Sequence, residues 1–492
     1  MSLFHVFAGP LLFAALLASA LSASVPPLLP AQQGRALSKA EVAAPIPPKQ
    51  DPFYTAPPEF EAAYPGQILR IRPAPGNFNS IIANCSAAYN ILYRTTDSQY
   101  QPTWAVTTLF VPTSSSNTKV TLGPGPRQGL LSYQVAYDSA DLNASPSFTL
   151  YSDADSAIDI GISLGQGWFV NVPDYEGPLA SFTAGVISGH ATLDSVRATR
   201  KASFGLRPDA PNAMWGYSGG ALASEWAAEL AIQYAPELRF AGAALGGLTP
   251  NVTSVLISTE GTNKAALSVA GIIGLSTQFP AFGELVEDSF KTSGKFNRTG
   301  FFASQNFTLT QAIQAFGVAN VSSFFENGFN FLFSPVTQDA INRDGIMGYH
   351  SVPQMPLHVY KAIQDEISPI RDTDALVEKY CSVGVSIAYS RNAIGSHPEE
   401  FINGRAAAFA FLTNVMSGMY NSTGCQVQNI SFRAMGSGFA GALITGSSVA
   451  PTMQPKETAV FTSDGLASVI VSESSLLLVA TLVFLGIERL IN

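Results

Sequence analysis

Cysteine is nearly absent from this chain. There are three, Cys85, Cys381 and Cys425, in 492 residues. They lie too far apart for a ligand cluster, and the five histidines (His5, His190, His350, His358 and His397) also lack metal-binding spacing, so no metal site is expected. Charge is scarce as well. Asp, Glu, Lys and Arg make up 12% of the residues and the net charge is −9, with no basic run to neutralise phosphates. Nucleic acid is thereby excluded as a partner. Neither a P-loop nor a dinucleotide fingerprint is present. What the chain has is apolar mass, 47% of its residues, enough for a sizeable core in one large domain with insertions or in several domains.

Both ends read as targeting segments. Leu11 to Leu17 is a short apolar core followed by small residues at Ala18-Ser-Ala and Leu21-Ser-Ala, the pattern of a secretory signal over residues 1–23, although its start lacks Lys or Arg. Sequons at Asn84, Asn143, Asn251, Asn297, Asn306, Asn320, Asn421 and Asn429 agree with an extracellular glycoprotein. An oxidising compartment permits Cys381 to pair with Cys425, leaving Cys85 over and buried. At the other end, Leu476 to Ile487 is apolar. A helix of that length reaches about 18 Å, short of a ~30 Å hydrocarbon core. Two readings of 466–492 stay open: a GPI signal with its attachment site near Ser463-Asp-Gly, and a single membrane span.

Between the ends, residues 24–66 are Pro-rich and read as an extended arm. Residues 67–249 then alternate strand-like and helix-like runs. The strands are Ile68-Leu-Arg-Ile, Ala88 to Arg94, Trp104 to Val111, Leu130 to Val135, Trp168 to Val172, Ala213-Met-Trp and Phe240 to Leu245. The helices are Ala157 to Leu164, Ala191 to Lys201 and a run opening at Ala221. Such alternation predicts an α/β fold, a mostly parallel sheet flanked by helices. From about 250 to 354 the pattern gives way to Phe, Gly and Ala with helix-like stretches at Ala265 to Leu275 and Ser323 to Leu332. That is too long for a loop and is expected to be an inserted, mainly helical cap or lid. The pattern returns over 355–432, with a strand at Leu357 to Ile363, a helix at Asp374 to Tyr380 and a strand at Val383 to Tyr389. Residues 433–465 are Gly/Ser/Thr-rich and read as a flap and stalk.

Gly216-Tyr-Ser-Gly-Gly220 is the stretch with chemistry in it. A serine between glycines, after a short apolar strand and before the helix former Ala221-Leu-Ala-Ser-Glu-Trp, is the pattern of a nucleophile elbow. The glycines let strand and helix approach closely while the serine takes an unfavourable backbone conformation. A second match, Gly161-Ile-Ser163-Leu-Gly165, sits after a helix and before a strand, the wrong order. Ser218 is therefore the candidate nucleophile; the alternative is a Gly-rich βα turn without chemistry. A serine needs a base, and the base an orienting carboxylate. Asp365 follows the strand Leu357 to Ile363, and His397 follows the strand Val383 to Tyr389, in the order Ser, Asp, His. Glu366, Asp372, Asp374, His190, His350 and His358 are less well placed, with Asp374 read as a helix N-cap and His358 as a core residue. The N–H of Gly219 is the first donor for an oxyanion, and the loop Ala136-Tyr-Asp138-Ser139 is where a second is sought.

Taken together these pieces resemble the fungal secretory lipases of the yeast lipase A type. The matching stretches are Asp51-Pro-Phe-Tyr-Thr, Ser132-Tyr-Gln-Val, Pro173-Asp-Tyr-Glu-Gly, Leu193-Asp-Ser-Val-Arg-Ala, Gly216-Tyr-Ser-Gly-Gly-Ala, Tyr234-Ala-Pro-Glu-Leu and Asp365-Glu-Ile-Ser-Pro with His397 after it. They span residues 50 to 430 in order. The resemblance implies an α/β-hydrolase with a helical cap, a triad of Ser218, Asp365 and His397, and no cofactor. It implies hydrolysis of carboxylic esters, chiefly triacylglycerols, at a lipid–water interface. It also implies that Asp138 contributes the second oxyanion contact and that Cys381 pairs with Cys425. A carboxylate beside an oxyanion repels it unless protonated, so Asp138 can serve there only as a neutral acid; the alternative is an Asp that caps the loop. A monomer is expected. The alternatives are a carboxylesterase or acyltransferase on shorter esters and, from another class, a non-catalytic, surface-anchored binding protein.

Overall fold

A computed structural model describes residues 43–113 and 128–434. The signal at 1–23, nearly all of the flap and stalk and the C-terminal segment at 466–492 lie outside the described residues. Among those described, no helix is long and apolar enough to cross a membrane.

Among the described residues, ten strands form a single sheet: β1 (Ile68–Pro73), β2 (Cys85–Thr96), β3 (Pro102–Pro112), β4 (Gly129–Gln134), β5 (Trp168–Pro173), β6 (Asn212–Tyr217), β7 (Phe240–Gly246), β8 (Leu357–Ala362), β9 (Ile387–Asn392) and β10 (Cys425–Ile430). Their spatial order is β1-β2-β3-β5-β4-β6-β7-β8-β9-β10. The pairs among β1, β2, β3 and β5 are antiparallel, and every pair from β5 to β10 is parallel. Strands β4, β5, β6 and β8 are buried at every residue, which is why their sequences read as continuous apolar runs rather than alternating ones.

Among the described residues, thirteen α-helices accompany the sheet: α1 (Phe78–Ile81), α2 (Pro146–Thr149), α3 (Ala154–Gly165), α4 (Gly185–Lys201), α5 (Gly219–Tyr234), α6 (Val252–Thr259), α7 (Ala265–Gln278), α8 (Pro280–Ser289), α9 (Arg298–Phe302), α10 (Leu309–Phe316), α11 (Pro335–Asp344), α12 (Ile370–Ser382) and α13 (His397–Ser417). Helices α4 and α5 pack together on one face, where Trp226 fills the space left by Gly185. Helix α13 lies across β6, β7 and β8. The result is a mixed sheet flanked by helices, the α/β-hydrolase architecture. Helices α6 to α11 are inserted between β7 and β8. Their centre is a cluster of rings, with Phe282, Phe290, Phe301, Phe324, Phe325 and Phe331 all buried.

Several local expectations are corrected. The described part of the Pro-rich arm is not extended. It forms three 3-10 turns, Pro48–Gln50, Pro52–Tyr54 and Phe60–Ala62, and buries Phe53 and Tyr54 against Leu92 and Val106. Helix α4 starts at Gly185, six residues before Ala191, because tertiary packing of its small residues overrides weak propensity. The stretch from Ser323 to Leu332 is two 3-10 turns, Val321–Phe324 and Gly328–Phe333, split where Gly328 adopts φ +57°. Helix α12 begins at Ile370 after Pro369, so Asp374 lies inside it and is not its cap. The strand read at Val383 to Tyr389 runs from Ile387, since Gly384 turns the chain at φ +90° first. Strand β10 is not among the strands expected from the sequence; its residues, Cys-Gln-Val-Gln-Asn-Ile, are polar and, among the described residues, pair with β9 alone.

Candidate active site

The elbow is built from contacts that leave no room for side chains. A Cβ on Gly216 would stand 2.1 Å from the Gly220 carbonyl oxygen, and one on Gly220 would stand 1.9 Å from that of Gln134. Ser218, between β6 and α5, has φ 54° and ψ −122°, a conformation that costs a non-glycine residue about 1–3 kcal/mol. Its N–H donates to Gly246 O at 2.9 Å and its carbonyl accepts from Leu222 N–H, so the surroundings hold the strained turn in place. Ser163 sits inside α3, buried, its hydroxyl donating back to Asp159 O at 2.8 Å. That is a helix residue without access.

Three loops at the ends of β6, β8 and β9 bring Ser218, Asp365 and His397 together. With His397 protonated on Nδ1, that atom donates to Asp365 Oδ2 at 2.6 Å, and Nε2 accepts from Ser218 Oγ at 2.9 Å. The second oxygen of Asp365, Oδ1, accepts from the N–H groups of Ile367 and Ser368 at 2.9 and 2.8 Å. Burial pushes this carboxyl up, but the His397 hydrogen bond and the Lys361 ammonium outweigh it and hold Asp365 well below the usual carboxylate range. His397 is the first residue of α13, whose start is fixed by a capping box between Ser396 and Glu399.

On the far side of Ser218, the chain before α2 brings Asp138 over the start of α5. A Cβ on Gly219 would lie 2.0 Å from Asp138 Oδ1, so glycine is required there if Asp138 is to reach the site. Asp138 takes φ +45°, is buried, and its Oδ1 has no hydrogen-bond partner. Burial raises its carboxyl to about 6, against the opposing pull of His397. An acid in that range is partly protonated near neutrality and then has a proton to donate.

The remaining candidates lie elsewhere. Glu366 accepts from the backbone N–H of His397 at 2.9 Å rather than from its ring. Asp374 pairs with Arg391 and accepts from Tyr389, and Asp372 pairs with Arg371. His190 stacks on Tyr234 and His358 lies between Tyr360 and Phe411; burial lowers them to about 3 and about 4. Cys381 and Cys425 are joined by a disulfide, tying α12 to β10, and Cys85 is free and buried. Asn84, Asn306, Asn320, Asn421 and Asn429 are exposed, while Asn143, Asn251 and Asn297 are half-buried. Among the described residues, no group of three or more His, Cys, Asp or Glu is placed to hold a metal ion.

Two groups around His397 were not anticipated. Tyr217 donates its hydroxyl to His397 O at 2.5 Å. Lys361 donates to Asp365 Oδ2 at 2.9 Å. A signal for Lys361 existed, because a lone lysine in an apolar strand demands a buried anion, and Asp365 stands four residues on.

This geometry sits in a chain with many relatives. Residues 143–424 match the family described as Secretory lipase. A trichothecene C-3 esterase from Fusarium sporotrichioides is 49% identical, over 80% of this chain and 90% of its own. Lipase A from Arthroderma benhamiae is 38% identical, over 79% and 83%. Among solved structures, Candida antarctica lipase A in its closed state superposes with a TM-score of 0.72 at 28% identity, over 82% of this chain and 95% of that one.

Proposed function

The chain belongs to the secretory lipase family, and from that premise we propose that it is a secreted, serine-dependent carboxylic-ester hydrolase working through an acyl-enzyme. The observation that carries the assignment is the hydrogen-bonded line from Ser218 Oγ through His397 to Asp365 at 2.9 and 2.6 Å. His397 Nε2 takes the serine proton as Oγ attacks the ester carbonyl, and Asp365 holds the ring in the tautomer that leaves Nε2 free and stabilises the imidazolium that forms. The N–H of Gly219 and the protonated Asp138 carboxyl are the donors to the tetrahedral oxyanion. His397 returns the proton to the leaving alcohol. Water then attacks the acyl-enzyme with His397 again as base.

Two substrate classes fit. Triacylglycerol is the reading that the lipases of the family support, with α6 to α11 as a lid over the acyl chain. The lid reading is supported by a direct tie: Ser139, beside Asp138, donates to Phe307 O of the inserted segment at 2.8 Å. The second reading is an esterase acting on trichothecene-type esters, and it is favoured by the 49% identity to a relative of that name. Secretion and glycosylation are supported by the family's description and by the exposed sequon asparagines.

The test compares wild type with Ser218→Ala on p-nitrophenyl esters from C2 to C16, emulsified triolein and a trichothecene C-3 ester. Turnover of triolein and long chains, lost in the variant, supports the lipase. Turnover confined to short esters and the trichothecene ester selects the esterase. A folded wild type without any Ser218-dependent hydrolysis overturns the enzyme assignment and returns the binding-protein alternative.

A further inference from the structure

Strand β8 is buried at every position, yet it contains a lysine. The Lys361 side chain has no exposed surface. An ammonium in such a place is costly unless it is paired and hydrogen-bonded. Lys361 Nζ has two partners, donating to Asp365 Oδ2 at 2.9 Å and to Leu248 O at 2.7 Å. The first is the same oxygen that accepts from His397 Nδ1. With Ile367 and Ser368 on Oδ1, four donors hold the Asp365 carboxylate against rotation. Leu248 is the second residue beyond β7, at the root of the inserted helices. Its neighbour Gly247 lies against the imidazole, where an added Cβ would be 3.0 Å from His397 Cε1. Lys361 thus ties together the two loops that flank the base.

Charge matters as well as position. An unpaired Asp365 would present a full negative charge to His397 and favour the imidazolium. A lysine ammonium on the same oxygen offsets part of that charge. The other groups in reach have fixed partners or weaker leverage. Glu366 is engaged with the His397 backbone, Tyr217 with the His397 carbonyl and Glu400 with Asn392. Asp138 faces the ring from the loop after β4. Burial pushes the Lys361 ammonium down, opposed first by Asp365 and then, from α12, by Asp372 and Asp374, each already paired with an arginine.

We propose that Lys361 is a positioning residue of the relay, its ammonium fixing the Asp365 carboxylate and setting the pH at which His397 becomes a base. The proposal rests on His397 being that base. The sign follows: without the positive charge, the imidazolium persists to higher pH and the acid limb of kcat/KM moves up.

The experiment is the pH profile of kcat/KM on p-nitrophenyl butyrate for wild type, Lys361→Gln, Lys361→Met and Lys361→Arg, with folding checked by circular dichroism. Two unit charges about 5 Å apart at an effective dielectric near 20 shift a titration by about two pH units. Gln and Met are therefore expected to move the acid limb up by about two units, a hundredfold loss on that limb, with little change in KM. Arg, which keeps the charge, leaves the limb in place. Glutamine retains a donor to Asp365, so a purely structural role predicts a wild-type profile in Lys361→Gln. A folded Gln variant with an unmoved limb overturns the proposal. Should the neutral variants fail to fold, ε-15N-lysine NMR of wild type over the same pH range decides. An ammonium signal for Lys361 through the limb supports the proposal, and a neutral amine there overturns it. Ser218→Ala in the same assay separates the two questions, because its retention of activity would defeat the serine mechanism itself.

Discussion

The sheet half of the molecule and the helices inserted between β7 and β8 are built on different physics. Around Ser218, buried polar groups are held by directional contacts. The strained serine is pinned by Gly246, and Asp365 accepts four donors. In the insertion, cohesion comes from ring packing, as Phe301 against Phe290, Phe302, Phe324 and Phe325. The difference teaches that a reaction centre demands position to within tenths of an ångström, whereas a covering element demands volume. A change in one region should then be read mainly in rate and in the other mainly in stability.

The largest expected effect breaks the chemistry and spares the fold. Ser218→Ala should lower kcat by at least about 10^4-fold, measured on p-nitrophenyl butyrate. Its thermal midpoint should not fall, because the strained turn is kept and no core group is lost. Phe301→Ala is the converse. It removes a fully buried ring and should cost about 3–5 kcal/mol in denaturant unfolding while leaving kcat on short esters nearly unchanged. A large loss of kcat with little loss of stability would erase the distinction between the two regions.

Asp138 sharpens the comparison. Asp138→Ala should lower kcat by about 10^2–10^3-fold. In wild type the acid must hold its proton to donate, so kcat/KM should fall as pH rises through about 6. Asp138→Asn donates at every pH and should lose that alkaline fall. An unchanged profile in the Asn variant would remove Asp138 from the oxyanion site.

The smallest expected effect is on stability. Asp174 accepts from the N–H and hydroxyl of Ser147, but burial raises its carboxyl to about 7. The folded state binds this proton more tightly than the unfolded chain. Its contribution is therefore fully present below about pH 4 and is lost as pH rises to about 7. Asp174→Asn should raise the midpoint at pH 8 relative to pH 5 by about 2–4 °C, read by scanning calorimetry.

Much of this was legible before any coordinates. Strands β4, β5, β6 and β8 announce themselves as apolar runs because they are buried on both faces. Strand β10 does not, because an edge strand is selected by its backbone pairing with β9 and its side chains are free to be polar. Helix α4 starts earlier than its propensity suggests because Gly185 packs against Trp226, and α12 starts at Ile370 directly after Pro369. Lys361 is legible only in retrospect from its neighbours, since a lysine within an apolar strand calls for a buried carboxylate such as Asp365.

The sequence by itself determined what is local. Glycine at 216, 219 and 220 permits a turn that any Cβ would close, and the order Ser218, Asp365, His397 follows from which loops end strands. Only the tertiary structure decided which side chains meet. Ser218 and His397 are 179 residues apart, and Asp365 and His397 are 32 apart. Contacts of that span are made by the order of strands across the sheet. Strand order is a property of the whole chain, because it is the packing of helices on both faces that repays the entropy of closing such long loops.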